Sequence, residues 1–365
     1  TQYPIPNTYP WFLAAGLTAG LSWYGYFGSR VILLVVVAYL GTRALATRGF
    51  LRRHARALAL MGLMALMAAS PLLLYYTNYP QNFSARFNQV SFFRWLELAR
   101  AQPDHGSTLS LVLGQVWRSI SAFNHTLDPT FWYHAQMPLL DFISGIFFLL
   151  GLATAIGQWR RAGVQLLLSW FVLALTFGWV LTENPPSSMR MVIIAPAMAL
   201  LVALGLDRLL TLARRTLGGR RAHWNQLGLS LIAVAALLNV HYYFVIYTPK
   251  RVFGGPTAET ATVLARYLKD RDDQPSVYFY GPPFMYFDFG SIRFIARHVP
   301  GVSVPPKDQE PNFESRVLGP TLFIVLRERL DELAAIQARH PPGFTQEFFS
   351  PVDGRLMFVV YEVPR

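Results

Sequence analysis

Seven stretches of this chain are apolar for most of a bilayer's thickness and carry no Asp, Glu, Lys or Arg in their middles. They are Trp11–Phe27, Val31–Ala46, Ala57–Tyr76, Pro138–Gln158, Gly163–Leu181, Met191–Leu212 and Leu227–Tyr247. A transmembrane helix needs about 20 apolar residues and tolerates about 17. A charge at the centre of such a helix costs about 2.5–3.5 kcal/mol on insertion scales. The predicted class is therefore a multi-pass α-helical membrane protein. The first two stretches are short for a span, and the first contains Gly16-x-x-x-Gly20, a spacing that lets helices pack closely.

Charge orients the spans. Eleven basic residues sit in three loops that contain no acid: Arg43, Arg48, Arg52, Arg53 and Arg56, then Arg160 and Arg161, then Arg214, Arg215, Arg220 and Arg221. Short basic loops between spans mark the cytoplasmic side. Residues 77–137, the short loop at 182–188 and the tail from 248 to 365 then fall on the opposite side. The net charge of +12 is almost wholly these three loops, and the tail carries fourteen basic and fourteen acidic residues. The excess is thus a topology signal, and nucleic-acid binding is not indicated. With no cysteine in the chain, disulfides, thiol catalysis and Cys-ligated metals are excluded. The first residues, TQYPIPNTYP, lack the basic start and cleavage site of a signal peptide, and the chain reads as part of a longer protein whose N-terminal half is missing.

Two domains are expected: residues 1–247 as the membrane part and 248–365 as a soluble α/β domain. In the long loop 77–137, Val90–Arg100 and Leu109–Phe123 have one apolar face each and are predicted as helices lying at the membrane interface, or else as a small folded cap. In the tail, Thr257–Lys269 and Glu328–Arg339 have helical periodicity, the second with acids in its first turn and Arg339 in its last. Ser276–Tyr280, Val302–Val304, Thr321–Leu326, Phe344–Phe348 and Met357–Val363 read as strands.

No Walker loop, dinucleotide-binding glycine signature, HExxH or GxSxG is present. Asn82-x-Ser84 and Asn124-x-Thr126 match the glycosylation tripeptide, a match too common to carry weight. The informative residues are polar groups at the outer ends of spans. Arg30 follows Tyr24, Tyr26 and Phe27, while Arg190 follows Glu183, Asn184, Ser187 and Ser188. Arginine is disfavoured on this side, so each needs a reason. One reading is an anchor that snorkels to headgroups. The other is a phosphate clamp, since the guanidinium fork suits phosphate oxygens. Within the long loop, Arg86, Asn88, Gln89, His125, Asp128 and His134 are polar groups among aromatics. His125, Asp128 and His134 could ligate a divalent metal, but their spacing fits no standard site, and no cofactor is indicated.

The segments GLSWYGYFGSR at 20–30, FSARFNQVSFF at 83–93, AFNHTLDPTFWYH at 122–134, PLLDFISGIFFLLGL at 138–152 and PPSSMRMVIIAPAMALLVALGL at 185–206 resemble bacterial glycosyltransferases of the family 39 type. These belong to the GT-C superfamily, with the protein mannosyltransferases and the aminoarabinose transferase of lipid A. VYFYGPPFMYFDFGSIRF at 277–294 is similar to the extracytoplasmic tails of some members. The resemblance implies an inner- or plasma-membrane enzyme that inverts a sugar from a polyprenyl-phosphate donor onto a lipid, glycan or protein acceptor. It also implies a general base in a first external loop that has no counterpart here, so this chain by itself is expected to be inactive. Arg30 and Arg190 would then bind the donor phosphate, with Tyr24, Tyr26, Arg86, Asn88, Gln89, His125, Asp128, His134, Glu183 and Asn184 as candidates for the substrate cavity. Two other readings stay open: a transporter or lipid flippase, and a non-catalytic subunit that displays the tail.

Overall fold

A computed structural model describes residues 8–100, 107–130, 133, 135–251, 253–306, 317 and 319–364. The chain divides into two compact units, Thr1–His241 and Tyr242–Arg365.

The described part of the first unit is mostly helical. Its helices are α1 (Tyr9–Leu21), α2 (Val31–Ala46), α3 (Phe50–Asn78), α4 (Pro80–Val90), α5 (Phe92–Arg100), α6 (Thr108–Ser121), α7 (Phe142–Gly157), α8 (Ala162–Leu175), α9 (Ala195–Leu217) and α10 (Arg221–His241). Among the described residues, five helical segments are long and apolar enough to cross a membrane: Phe27–Ala46, Phe50–Asn78, Ala162–Val180, Ser188–Leu217 and Arg221–Arg251. The chain is thus a multi-pass membrane protein by the length and composition of these helices. The other two predicted spans are shorter than expected. Helix α1 has 13 residues and breaks into 3₁₀ turns at Ser22–Tyr24 and Phe27–Arg30, a stretch that contains Gly25 and Gly28. Helix α7 has 16 residues because Asp141 caps it, accepting from the Ser144 amide at 3.0 Å, so Pro138–Leu140 stay outside.

Two helix pairs approach until backbone meets backbone. A Cβ on Gly16 or Gly20 of α1 would collide with the carbonyl oxygens of Met61 and Ala65 on α3. The Gly-x-x-x-Gly spacing therefore lies on a packing seam. Likewise, Gly151 on α7 abuts the Leu201 carbonyl, and Gly205 on α9 abuts that of Phe147. Around this second crossing lies an aromatic core, in which Phe123 stacks on Phe148 at 4.8 Å and approaches Trp179 at 5.6 Å. Phe123 comes from the long loop, so that segment supplies part of the bundle's core. Both predicted loop helices are present, as α5 and α6, and α4 precedes them.

The second unit is a five-stranded sheet with strands β1 (Ser276–Tyr280), β2 (Gly301–Ser303), β3 (Thr321–Leu326), β4 (Phe344–Phe349) and β5 (Leu356–Val363) in the order β2-β1-β3-β5-β4. Strand β1 is parallel to β2 and β3, and β5 is antiparallel to β3 and β4. Helix α11 (Pro256–Lys269) buries Ala261, Leu264, Ala265 and Leu268 against Val277, Phe279, Leu322 and Ile324. A short helix, α12 (Gly290–Ile295), lies in the β1–β2 crossover. The predicted helix at 328–339 is split into a 3₁₀ segment, Arg327–Glu332, and α13 (Leu333–Arg339). Arg329, inside the 3₁₀ segment, leaves helical geometry. Its guanidinium is buried, bonded to Glu332 at 2.6 Å, the Val304 carbonyl at 2.7 Å and the Pro305 carbonyl at 3.1 Å.

Candidate functional site

Three chain segments meet at one end of the bundle. The first is the 3₁₀ turn ahead of α2, which carries Tyr26, Phe27 and Arg30. The second is the α4–α5 junction, where Val90–Phe92 pairs with Leu181–Glu183. Glu183 N donates to the Val90 carbonyl at 2.8 Å and Phe92 N to the Leu181 carbonyl at 3.0 Å. The third is the 3₁₀ helix Ser188–Ile194, which carries Arg190. A further clasp comes from α6, where buried Gln115 donates to the Thr182 carbonyl.

Between these segments lies a cavity of about 230 Å³. Its walls are apolar, including Phe27, Val31, Leu34, Phe87, Val90, Phe177 and Leu181, and three guanidinium groups border it: Arg30, Arg86 and Arg190. Arg30 is enclosed by rings, with its Cζ 4.7 Å from the Phe27 centroid, 5.3 Å from Tyr76 and 5.4 Å from Trp23. It also donates to the Tyr76 hydroxyl. Arg190 donates Nη1 to the Glu183 carbonyl at 2.6 Å and Nη2 to the Glu183 carboxylate at 3.1 Å. Both arginines keep a buried Nε–H with no hydrogen-bond partner, and so does the Trp23 indole N–H. A buried donor without an acceptor costs about 1–3 kcal/mol, so the two arginines that border the cavity favour an acceptor-rich ligand there.

The predicted site residues divide into those at this cavity and those elsewhere. Tyr26, Arg30, Arg86 and Arg190 border it, and Glu183 reaches it through Arg190. Arg86 is exposed on α4 and donates to Gln89 at 3.3 Å. Asn88 turns back to Ser84 at 3.3 Å, and Tyr24 donates to the Ala68 carbonyl at 3.1 Å, so neither borders the cavity. Asn184 is exposed in a left-handed conformation, φ 50°, which asparagine tolerates. His125 is exposed and away from the cavity, and His134 lies outside the described residues.

Asp128 is a structural tie. It is buried, and its Oδ2 accepts from the Ser188 amide at 2.7 Å. Its Oδ1 accepts from the Thr130 amide at 2.8 Å and from the Thr130 hydroxyl at 2.5 Å. With these bonds made, the carboxylate pins the long loop to the start of the Arg190 turn. Among the described residues no three His, Asp or Glu side chains gather as a metal site.

Sequence reasoning missed the partners of Arg30, which are Trp23 and Tyr76, and most of the apolar wall. Tyr76 was visible only as part of an aromatic pair at the end of α3, the ordinary dress of a membrane interface. Comparison with protein-family models, with curated proteins and with solved structures finds no match to this chain.

Proposed function

We propose that this chain is the lipid-phosphate-binding part of a membrane glycosyltransferase of the GT-C type. Its cavity would receive the phosphate of a polyprenyl-linked sugar donor on the extracytoplasmic side, opposite the three Arg loops. The seven predicted stretches would all lie in the bilayer, with α1 and α7 as short members, and residues 77–137 and 248–365 outside.

One observation carries this reading. Arg30 and Arg190, far apart in sequence, border one apolar cavity with unbonded Nε–H groups. An anchor at the interface needs neither an enclosed guanidinium nor a shared cavity. A lipid phosphate matches both parts, since its oxygens accept from the arginines and its first prenyl carbons meet Phe27, Val31 and Phe177. In the reaction the sugar–phosphate C–O bond breaks, the acceptor hydroxyl oxygen bonds the sugar carbon from the opposite face and gives its proton to the general base that the resemblance implies, and polyprenyl phosphate leaves with the bonding electrons. Charge grows on the phosphate as the bond breaks, so a fixed arginine there stabilises the transition state more than the ground state. Losing one oriented donor of this kind costs about 10²–10³ in rate.

The test is binding by the purified chain in nanodiscs. Undecaprenyl phosphate should bind saturably, while undecaprenol, which lacks the phosphate, should not. Equal binding of the two lipids refutes the reading.

A further inference from the structure

The soluble unit carries its own evidence of how it meets the bilayer. The last candidate span, Arg221–Arg251, runs into this unit, which begins at Tyr242. From Arg251 to Pro256, the first residue of α11, is about five peptide steps, or roughly 18 Å at full extension. The span exit also touches the domain: Lys250, Arg251 and Phe253 line one cavity with Pro256 and with Val352, Asp353 and Arg355 of the β4–β5 turn. The turn side of the sheet is therefore the side at the span exit.

Strand register shows what else lies on that side. At the turn, Phe349 pairs with Leu356. Moving across the sheet from there, Phe358 pairs with Leu326, Val359 with Val325, and Val325 with Tyr280. The C-terminal end of β1 and the loop that follows it thus sit at the same end as the β4–β5 turn. In that loop Met285 and Phe287 point into the core, at 3% and 1% exposure, while Phe284 and Tyr286 point out, at 64% and 48%. Phe349 and Val352 are half exposed at the same end. Phe344 is even more exposed but lies at the opposite end, paired with Glu362.

We propose that the sheet end formed by the Phe284–Tyr286 loop and the β4–β5 turn rests in the headgroup layer of the bilayer that the last span crosses. The chemistry suits that layer. The amphipathic Tyr286 ring partitions at the level of the headgroups, the Phe284 and Phe349 rings and the Val352 tip enter the acyl boundary beneath it, and Lys250 and Arg251 at the span exit meet lipid phosphates. The contact holds one end of the domain down and leaves the Phe344 end in water. It does not depend on what the arginine cavity binds.

The chain has no native cysteine, so single cysteines can be placed cleanly. Phe284→Cys, Val352→Cys and Phe344→Cys are each labelled with an environment-sensitive fluorophore. The labelled full chain is reconstituted in vesicles of phosphatidylcholine and phosphatidylglycerol, after circular dichroism and melting temperature confirm an unchanged fold. Lipids bearing a nitroxide near the headgroup should quench most of the emission at 284 and 352 and little at 344, while iodide should do the reverse. Iodide quenching at all three positions overturns the proposal, as does nitroxide quenching at all three or at only one of 284 and 352. Shielding of 284 and 352 from both quenchers also overturns it and points to a protein partner on that face.

Discussion

Arg190 and Glu183 clasp each other across the turn that closes the cavity. The guanidinium is held by the Glu183 carbonyl at 2.6 Å and by the carboxylate at 3.1 Å, with side-chain exposures of 12% for the arginine and 34% for the acid. The carboxylate therefore sits where an incoming anion would compete for the same donors. In the proposed reading, part of the binding energy of a lipid phosphate goes into displacing it.

Glu183→Gln removes that competing charge and leaves the backbone carbonyl contact in place. A partly exposed ion pair is worth about 0–1 kcal/mol, so affinity for undecaprenyl phosphate should rise about two- to fivefold. Titration at low and moderate salt checks this. Unchanged or weaker binding would mean that Glu183 does not compete for the site.

The α7–α9 crossing should tolerate no side chain at its glycines. Gly151→Ala and Gly205→Ala each place a methyl against a carbonyl oxygen of the facing helix, and overpacking of this kind costs about 1–3 kcal/mol. Gly62→Ala on α3, where nothing lies within 4 Å, should be neutral or slightly stabilising. Thermal denaturation in detergent separates the two outcomes.

The second unit should weaken as pH falls below neutral. Burial, together with neighbouring Arg339, holds the pKa of His340 below its ordinary value, and its ring stacks on Phe323 at 4.9 Å. A depressed folded pKa means that the unfolded chain binds more protons. The stabilisation is complete above the unfolded pKa of about 6.5 and is lost as pH falls through the folded value. Asp273 adds a second, more acidic loss, because its hydrogen bonds from Arg271 hold its carboxyl below the usual range. Melting between pH 7 and pH 5 should show a falling transition for the wild type and a flatter one for His340→Phe, taking pH 7 and about 5 as the ends of the window. Identical slopes would remove His340 from the account.

Much of the secondary structure was legible because two patterns dominate it. Helix α2 ends three residues past Arg43, in its basic last turn, and β1 and β3 are unbroken runs of β-formers that each follow a proline. Helix α3 extends well before the predicted span because its arginine turn contains no Gly or Pro after Gly49 to end it. The break at Arg329 was hidden because its partners, the carbonyls of Val304 and Pro305, lie more than twenty residues upstream. At the site, Arg30 and Arg190 stood out because they violate the charge asymmetry. The role of Asp128 did not, since its partner Ser188 is 60 residues away and no local pattern announces it. Wall residues such as Val90 and Phe177 look in sequence like any lipid-facing position.

The proposed orientation rests on the Arg loops and has a direct check. Cysteines replacing Gln81 and Asp272 should react with an impermeant maleimide from outside intact cells, and one replacing Thr216 should not. All three positions are exposed. Reaction at 216 from outside would invert the topology and put the arginine cavity on the wrong face for an extracytoplasmic donor.

The central claim is that Arg30 and Arg190 hold one phosphate, and the most direct measurement is undecaprenyl phosphate affinity across an arginine series in nanodiscs. Lysine keeps the charge and loses the fork, so affinity should fall in the order arginine, lysine, alanine at position 190, with alanine weaker by about tenfold or more. Arg30→Ala should cost a similar amount, and Arg94→Ala, on an exposed residue that does not line the cavity, should cost nothing. Near-normal affinity for both Arg190→Ala and Arg30→Ala would contradict the account and reduce these residues to interfacial anchors.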